Sequence, residues 1–150
     1  MRNSMCADIV LELPNDLRAI ERAVDYLLAR CSEAGFDCEG VALKLRVGVT
    51  EALSNAMLYG NARDPRKRVL VEAKVEAESV TVRVTDEGHG FDPNSLPDPT
   101  LPCNLSRPGG RGIFLIRTLM DRVEFNERGN SITMVLHREP SRAEAQSWAR

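Results

Sequence analysis

The sequence predicts a single α/β domain, because strand-like and helix-like patterns alternate along a chain of ordinary domain size. The chain has 150 residues, of which 43% are hydrophobic and 28% are charged, and this is enough apolar chain for one core. Valines alternate with polar residues over positions 79–85, the period of a strand with one buried face. From Leu17 the apolar residues recur every three or four positions, as in an amphipathic helix. We expect one domain over residues 1–150, with a frayed polar tail at 139–150.

The first part of the chain predicts one strand and two helices. Apolar residues alternate over positions 7–13, and Pro14-Asn15-Asp16 then ends the strand and provides a helix cap. The first helix is expected over residues 17–35. Its apolar stripe suits the core, a dimer contact or a partner contact, and periodicity does not separate these. The second helix is expected from residue 39 to residue 59, with a stop at Gly60-Asn61.

The remaining strands are predicted as two pairs on either side of an irregular segment. Positions 69–75 and 79–85 form a hairpin, and positions 122–125 and 131–137 form the closing pair. The segment 91–108 carries five of the eight prolines and shows no periodicity. Structureless segments of this length inside a domain are functional lids or disordered.

The bulk composition excludes several classes of protein. Twenty basic and 22 acidic residues give a formal net charge of −2, so no basic field favours nucleic acid. The four cysteines form no C-x-x-C pair, and no histidine lies at ligand spacing, which argues against zinc. No apolar run of 18 residues and no signal peptide is present. We therefore expect a cytoplasmic protein with reduced thiols and no membrane contact.

Two polar residues of the second predicted helix are candidates for a site. Glu51 and Asn55 are four residues apart, so they lie one above the other on the same side of the helix. An exposed polar pair of no special function is equally compatible with this spacing. However, their neighbours are small or apolar, which suits the wall of a cavity.

A second candidate is the stretch that follows the strand 79–85. Asp86 ends the strand, and Gly88 and Gly90 follow within four residues. A carboxylate there accepts hydrogen bonds from an amino group, and the glycines let the backbone approach a flat ligand. Turns use the same residues, so this pattern alone is also typical of a simple turn.

The third candidate is a glycine-rich start of a helix. Arg107-Pro108-Gly109-Gly110-Arg111-Gly112 precedes the apolar run 113–116, so free N–H groups and the helix dipole would attract phosphate. Arg107 and Arg111 add positive charge, whereas a flexible linker is the alternative. Together the three candidates suit a nucleotide with magnesium, although no Walker P-loop is present. Asn55 is a candidate magnesium ligand and Glu51 a candidate general base for phosphoryl transfer.

The three candidates together resemble the sequence boxes of the GHKL ATPases. Glu51-Ala52-Leu53-Ser54-Asn55-Ala56 is similar to the N-box of that superfamily, and residues 86–91 are similar to its first glycine box. The pattern from Gly110 to Asp121, G-R-G-I-F-L-I-R-T-L-M-D, is similar to the second glycine box of anti-sigma-factor serine kinases of the RsbW and SpoIIAB type. The order and spacing fit over nearly the whole chain.

The resemblance implies the Bergerat fold, an α/β two-layer sandwich with a mixed, mostly antiparallel sheet and helices on one face. It also implies a role for each residue that matches a motif. Asp86 would bind the adenine amino group of ATP, Gly88 and Gly90 would line the base pocket, Asn55 would hold Mg²⁺, and Glu51 would deprotonate the substrate serine. Gly110, Arg111 and Gly112 would bind phosphates with Arg107 at the γ-phosphate, and Thr133 of the last strand would meet the adenine.

The same resemblance implies the partners. The substrate would be a serine of a small anti-sigma-factor antagonist, the second partner a sigma factor of a stress response or of sporulation, and the assembly a homodimer. Two alternatives remain on the sequence alone. A catalytically inactive module could bind nucleotide and partner, although the presence of Glu51 argues against it. The ATP-binding half of a histidine kinase is the other, although no phosphoacceptor helix pair precedes the domain.

Overall fold

The computed structural model describes residues 7–36, 39–90 and 110–138, which contain five strands and three helices. In chain order these are β1 (Ile9–Pro14), α1 (Ile20–Glu33), α2 (Glu39–Asn55), β2 (Arg68–Val75), β3 (Ser79–Asp86), α3 (Gly110–Leu119), β4 (Arg122–Phe125) and β5 (Ser131–His137). A 3₁₀ turn at Leu17–Ala19 leads into α1, and a π-helical turn at Ala56–Gly60 continues α2. Every element predicted within these ranges is present. The predicted lid at 91–108 and the tail at 139–150 lie outside them.

The five strands form one sheet in the order β1-β2-β3-β5-β4. All four pairings are antiparallel, so the mostly antiparallel sheet that was expected contains no parallel pair among the described strands. In the register of the central strands, Val84 of β3 lies between Val71 of β2 and Ile132 of β5. Strand β3 lies in the middle of the sheet, between β2 and β5. Its last residue is Asp86, which therefore lies at the end of the central strand.

The core lies between one face of the sheet and the three helices. Alternate residues of the central strands are buried, as the valine pattern predicts, and the opposite residues face away from the helices. Leu53 of α2 and Ile116 of α3 are fully enclosed at 0% exposure. Burial of one such side chain contributes about 1.5–3 kcal/mol. The helices therefore cover one face only, which is the predicted two-layer sandwich.

The apolar stripe of α1 belongs to this core. Its buried residues are Ile20, Ala23, Val24, Leu27 and Cys31. Asp16 caps the 3₁₀ turn that leads into α1, because its carboxylate accepts the backbone N–H of Arg18 at 2.9 Å. Because its residues are buried, the apolar stripe of α1 is part of the core. None of the helices in the described ranges is long and apolar enough to cross a membrane.

Cys31 is expected to resist alkylation in the folded protein. Its side chain is 2% exposed, and burial raises the pKa of the thiol to about 11, so almost no reactive thiolate forms near neutral pH. Peptide mass spectrometry after iodoacetamide treatment at pH 8 should find Cys31 unmodified in the native protein. The same treatment in denaturant should modify it, and rapid modification of the native protein would contradict this burial.

Candidate functional site

Glu51, Asn55 and Gly112 meet where α3 begins against α2. A Cβ atom placed on Gly112 would lie 2.8 Å from Glu51 Oε2 and 3.0 Å from Asn55 Nδ2. A real Cβ does not approach other atoms this closely without displacing them, so the backbone at the start of α3 lies directly against both polar side chains. The structure thus brings the N-box pair and the second glycine box together. The first N–H groups of a helix have no partner within the helix, and here they lie beside the predicted catalytic pair.

The amide of Asn55 is incompletely satisfied at this place. Its Nδ2 atom is buried and has no hydrogen-bond partner. Asn55 lines a cleft between α2, α3 and the β4–β5 turn, together with Ala52, Ile113, Ile116, Phe125, Gly129, Asn130, Ser131 and Ile132. Buried polar groups are normally paired, and an unpaired one carries a free-energy cost unless a ligand supplies the missing contact. The structure therefore favours the cavity-wall interpretation of Glu51 and Asn55 over an exposed pair.

The carboxylate of Asp86 is held by two glycines. One oxygen, Oδ1, accepts the backbone N–H of Gly88 at 2.8 Å. The other, Oδ2, would lie 2.2 Å from a Cβ atom on Gly60. A Cβ atom on Gly88 would in turn lie 1.9 Å from the carbonyl oxygen of Gly60. Both positions therefore require glycine for the carboxylate to occupy this place.

Burial sets the protonation behaviour of Asp86. Desolvation raises the pKa of this carboxyl above its ordinary value, and the Gly88 N–H, Lys67 and Arg128 oppose the shift. A half-buried carboxylate that keeps free acceptor positions is suited to receive hydrogen bonds from an amino group. A carboxyl pKa raised by burial is also a common feature of binding sites.

The two ends of the site are connected by the π-helical turn Ala56–Gly60. It starts directly after Asn55 and ends at the glycine that contacts Asp86. The N–H of Asn61 donates to the carbonyl of Ala56 at 2.7 Å, a bond that spans five residues. Short π-helical segments occur frequently at functional sites. The predicted regular helix to residue 59 missed this turn, because no residue pattern distinguishes it from the end of an α-helix.

Gly90 lies against the β4–β5 turn. Its φ angle is +82°, and a Cβ atom there would lie 1.7 Å from the carbonyl oxygen of Arg128. The position therefore needs glycine for conformational and for steric reasons. The first glycine box is thus packed onto Gly60 on one side and onto the β4–β5 turn on the other.

Thr133 is not brought to this group. It lies at a position of β5 that alternates with the buried Ile132 and Met134, so its side chain is on the sheet face opposite the helices. Its hydroxyl accepts a hydrogen bond from Arg83 Nε at 3.2 Å. The predicted contact of Thr133 with a base beside Asp86 is therefore not supported by its position.

The remaining predicted phosphate ligands are described in part. Gly110 begins α3, and Arg111 lies in its first turn, but the side chain of Arg111 and all of Arg107 fall outside the described residues. Within the described parts of the chain no cluster of three or more histidine, cysteine, aspartate or glutamate side chains could hold a metal ion. Any magnesium at Asn55 would take its other ligands from phosphates and water, which is common for this ion.

A larger open groove lies elsewhere, between β1 and α1. Its lining consists of Leu11, Leu13, Asp16, Arg18, Ala19, Arg22, Ala23 and Tyr26. None of the site residues predicted from the sequence lies there, and Asp16 and Arg18 pair with one another at 2.7 Å. Size alone favours this groove, whereas the orphaned amide of Asn55 and the approach of Gly112 favour the smaller cleft around Asn55.

Comparison with known proteins identifies relatives over most of the chain. The sequence model of the histidine kinase-like ATPase domain matches residues 13–136. The serine-protein kinase RsbW of Listeria innocua is 30% identical over 133 residues, covering 84% of each chain, and RsbW of Listeria monocytogenes gives the same values. An anti-sigma F factor of Clostridium perfringens is 28% identical over 96 residues, covering 61% of this chain and 67% of its own. The match to the family model contains every described element from α1 to β4 and all of β5 except its last residue.

Proposed function

The chain belongs to the histidine kinase-like ATPase domain family, within its RsbW-type serine-protein kinases, and from this premise we propose that it phosphorylates a serine of a small anti-sigma-factor antagonist and also sequesters a sigma factor. The resemblance drawn from the three boxes and the protein-serine kinase class are confirmed by this membership. The antagonist, the sigma factor of a stress response or of sporulation, the homodimer and the cytoplasmic location are parts of the proposal. The name of one group of relatives, anti-sigma F factor, supports the proposal that a sigma factor is a partner.

The observation that best supports kinase chemistry is the approach of Gly112 to Glu51 and Asn55. A nucleotide needs a place where phosphates meet helix N–H groups and where a base stands beside the transferred phosphoryl group. The backbone at the start of α3 lies against the side chains of Glu51 and Asn55, and this close approach supports placing the phosphates and the base there. Gly110 and Gly112 supply backbone without a Cβ atom at this place, and Arg107 and Arg111 are proposed to add charge next to the phosphates.

Asn55 fits the role of the magnesium ligand. Rotation of the amide by 180° exchanges its oxygen and nitrogen, so the buried position that now lacks a partner presents either an oxygen to a cation or a donor to a phosphate. Magnesium supplies neutralisation of the phosphate charge when it is bound. Among the residues of the chain, Asn55 would hold the ion, and the start of α3 would hold the phosphates.

Glu51 is proposed as the general base. In the transfer, the serine oxygen forms a bond to the γ-phosphorus, the bond from that phosphorus to the bridging oxygen breaks, and ADP leaves. The serine proton passes to the Glu51 carboxylate. Its carboxylate lies beside Gly112 at the start of α3, where the phosphates are proposed to bind.

Asp86 is proposed to recognise the adenine amino group. Its Oδ1 accepts one backbone N–H, and the carboxylate retains further acceptor positions for a ligand. Gly88 and Gly90 leave the backbone bare beside it, which suits a flat base. Thr133 lies on the other face of the sheet and is left out of the proposed base site.

The test is a transfer assay combined with capture. The protein is incubated with ATP labelled on the γ-phosphate, magnesium and a native cytoplasmic extract, and the bound proteins are identified by mass spectrometry. A small partner labelled on serine, recovered together with a sigma factor, supports the proposal. Bound partners without label, while nucleotide is retained, would instead favour an inactive binding module, and label on histidine would favour a histidine kinase.

Gly60→Ala is expected to weaken ATP binding about tenfold or more. The new Cβ would lie 2.2 Å from Asp86 Oδ2, so the carboxylate must leave its present place. The loss corresponds to one hydrogen bond to a charged group. Isothermal titration calorimetry measures the affinity. Gly35→Ala is the control, because its φ of +92° causes strain far from the site. It should lower the melting temperature without changing the ATP affinity.

A further inference from the structure

The peptide bond that follows Asp86 is held at both polar ends by asparagine side chains. Its N–H, which belongs to Glu87, donates to Asn61 Oδ1 at 2.8 Å. Its carbonyl, which belongs to Asp86, accepts from Asn130 Nδ2 at 3.0 Å. The two asparagines come from distant parts of the chain, one after the π-helical turn and one in the β4–β5 turn. We call this pair the asparagine clamp.

Asn61 is the centre of a buried hydrogen-bond network. It is 0% exposed, and its Nδ2 donates to the carbonyl of Arg68 at 3.0 Å and to Asn15 Oδ1 at 3.2 Å. A backbone N–H can only donate and a carbonyl can only accept, so these partners fix which end of the amide faces Glu87. Asn15 is fixed in turn, since its Nδ2 donates to the carbonyls of Met57 and Asp64. Every polar atom of the Asn61 side chain therefore has a partner.

The side chain and the backbone of Asn130 are also held by hydrogen bonds. Its Oδ1 accepts from Asn126 Nδ2 at 2.6 Å, and its backbone N–H donates to Asn126 Oδ1 at 3.0 Å. Its own carbonyl accepts the backbone N–H of Asp86 at 2.9 Å. Asn130 thus contacts Asp86 on both sides of the Cα atom. The Nδ2 atom that reaches the peptide is held in place by the turn.

The clamp fixes the backbone directly after the Asp86 side chain. A peptide unit is planar, so holding its N–H and its carbonyl fixes the rotation of the plane and hence the backbone angle ψ of Asp86. The next N–H along the chain is that of Gly88, which donates to Asp86 Oδ1 at 2.8 Å. A rotation of the clamped plane would move this donor, and the carboxylate would keep the hydrogen bond only by following it.

We propose that Asn61 and Asn130 are positioning residues that set the Asp86 carboxylate at the angle required to read the amino group of the base. The inference rests on the proposed function, because it assumes that Asp86 binds the base of an adenine nucleotide. Neither asparagine needs to touch the nucleotide for this role. The clamp extends the base site beyond the glycine box to residue 61 and residue 130.

The test compares two nucleotides that differ only in the group that Asp86 reads. Affinities for ATP and for purine riboside triphosphate, which lacks the amino group, are measured by calorimetry for the full chain. In the wild type the ratio of the two affinities reports the amino-group contact. Asn61→Ala and Asn130→Ala should each lower this preference for ATP about tenfold. Val24→Ala in α1, at a side chain 1% exposed, lowers stability by core loss and should leave the preference unchanged.

Three outcomes separate the clamp from the function on which it rests. Loss of the preference in Asp86→Asn and in both asparagine variants supports the clamp. Loss in Asp86→Asn alone, with the asparagine variants like the wild type, overturns the clamp and leaves the proposed function intact. A wild type without any preference, or a preference that survives Asp86→Asn, overturns the base-site assignment and the clamp together. Asn130 is in a turn, so its variant keeps the test decisive where the buried Asn61→Ala fails to fold.

Discussion

Glu51→Gln is expected to lower the rate of phosphoryl transfer by about 10²–10⁴-fold while ATP affinity stays close to that of the wild type. The amide keeps the size of the carboxylate, so the close approach of the Gly112 backbone is preserved. What is lost is the group that accepts the serine proton. Glu51→Ala should show the same loss of rate, since it removes the base as well.

The measurement is a single-turnover transfer of labelled γ-phosphate to the antagonist, with ATP affinity determined separately by calorimetry. Glu21→Gln on the exposed surface of α1 is the matched control, because it removes a carboxylate far from the start of α3. It should transfer phosphate at the wild-type rate. Full transfer by Glu51→Gln would show that another group accepts the proton. A large loss of ATP affinity would instead indicate that Glu51 acts mainly in binding.

The strands and most of the helices could be predicted because their patterns are local. The valines of β2 and β3 alternate with polar residues, and the strands that form begin or end within one residue of the predicted positions 69–75 and 79–85. Burial of one sheet face requires apolar residues at every second position, so this alternation is visible in the sequence. The end of α2 was less predictable, because no pattern of residues distinguishes the π-helical turn Ala56–Gly60 from the end of an α-helix.

The site was predictable where its residues share one element. Glu51 and Asn55 were placed on one side of α2 by their spacing alone, although spacing left open whether that side faced water. Gly112, more than fifty residues later, decides it by approaching both side chains. The position of Thr133 shows the opposite case. Side-chain direction in a strand reverses at every residue, so assigning Thr133 to the base site by resemblance left open which face of the sheet it occupies.

The asparagine clamp could not be predicted from the sequence. Asn61 and Glu87 are 26 residues apart, and Asn130 and Asp86 are 44 apart. Asparagine is common after helices and in turns, where it satisfies local backbone groups. At both positions the sequence therefore indicates only a stop or a turn. The link between Asn130 and Asp86 exists because the antiparallel sheet brings the end of β3 beside the start of β5.

Asp86→Asn is expected to weaken ATP binding by about 10–100-fold, the loss of a hydrogen bond to a charged acceptor, and at the same time to stabilise the free protein. The amide oxygen can still accept the Gly88 N–H, so the local turn is kept. The amide nitrogen of asparagine is also a hydrogen-bond donor, so it would face the donors of the adenine amino group without an acceptor between them. Binding and stability therefore change in opposite directions.

The direction of the stability change follows from the pKa. Burial raises the pKa of Asp86 above its ordinary value of 3.8, so the ionised carboxylate is less favourable in the folded chain than in the unfolded chain. The stability associated with the protonated carboxyl is complete below pH 3.8 and is lost as the pH rises through the folded pKa. Asparagine does not ionise and keeps this stability at neutral pH.

The measurement is the melting temperature of both proteins without nucleotide between pH 3 and pH 8, together with ATP titrations at pH 7.5. The melting temperature of Asp86→Asn should exceed that of the wild type at pH 7.5, and the difference should shrink as the pH falls towards 3.8. Glu76→Gln in the exposed β2–β3 turn removes the same charge and should show neither effect. A variant that is less stable than the wild type at pH 7.5 would mean that the ionised carboxylate stabilises the fold. Asp86 would then be a structural residue rather than one kept for its ligand at a cost in stability.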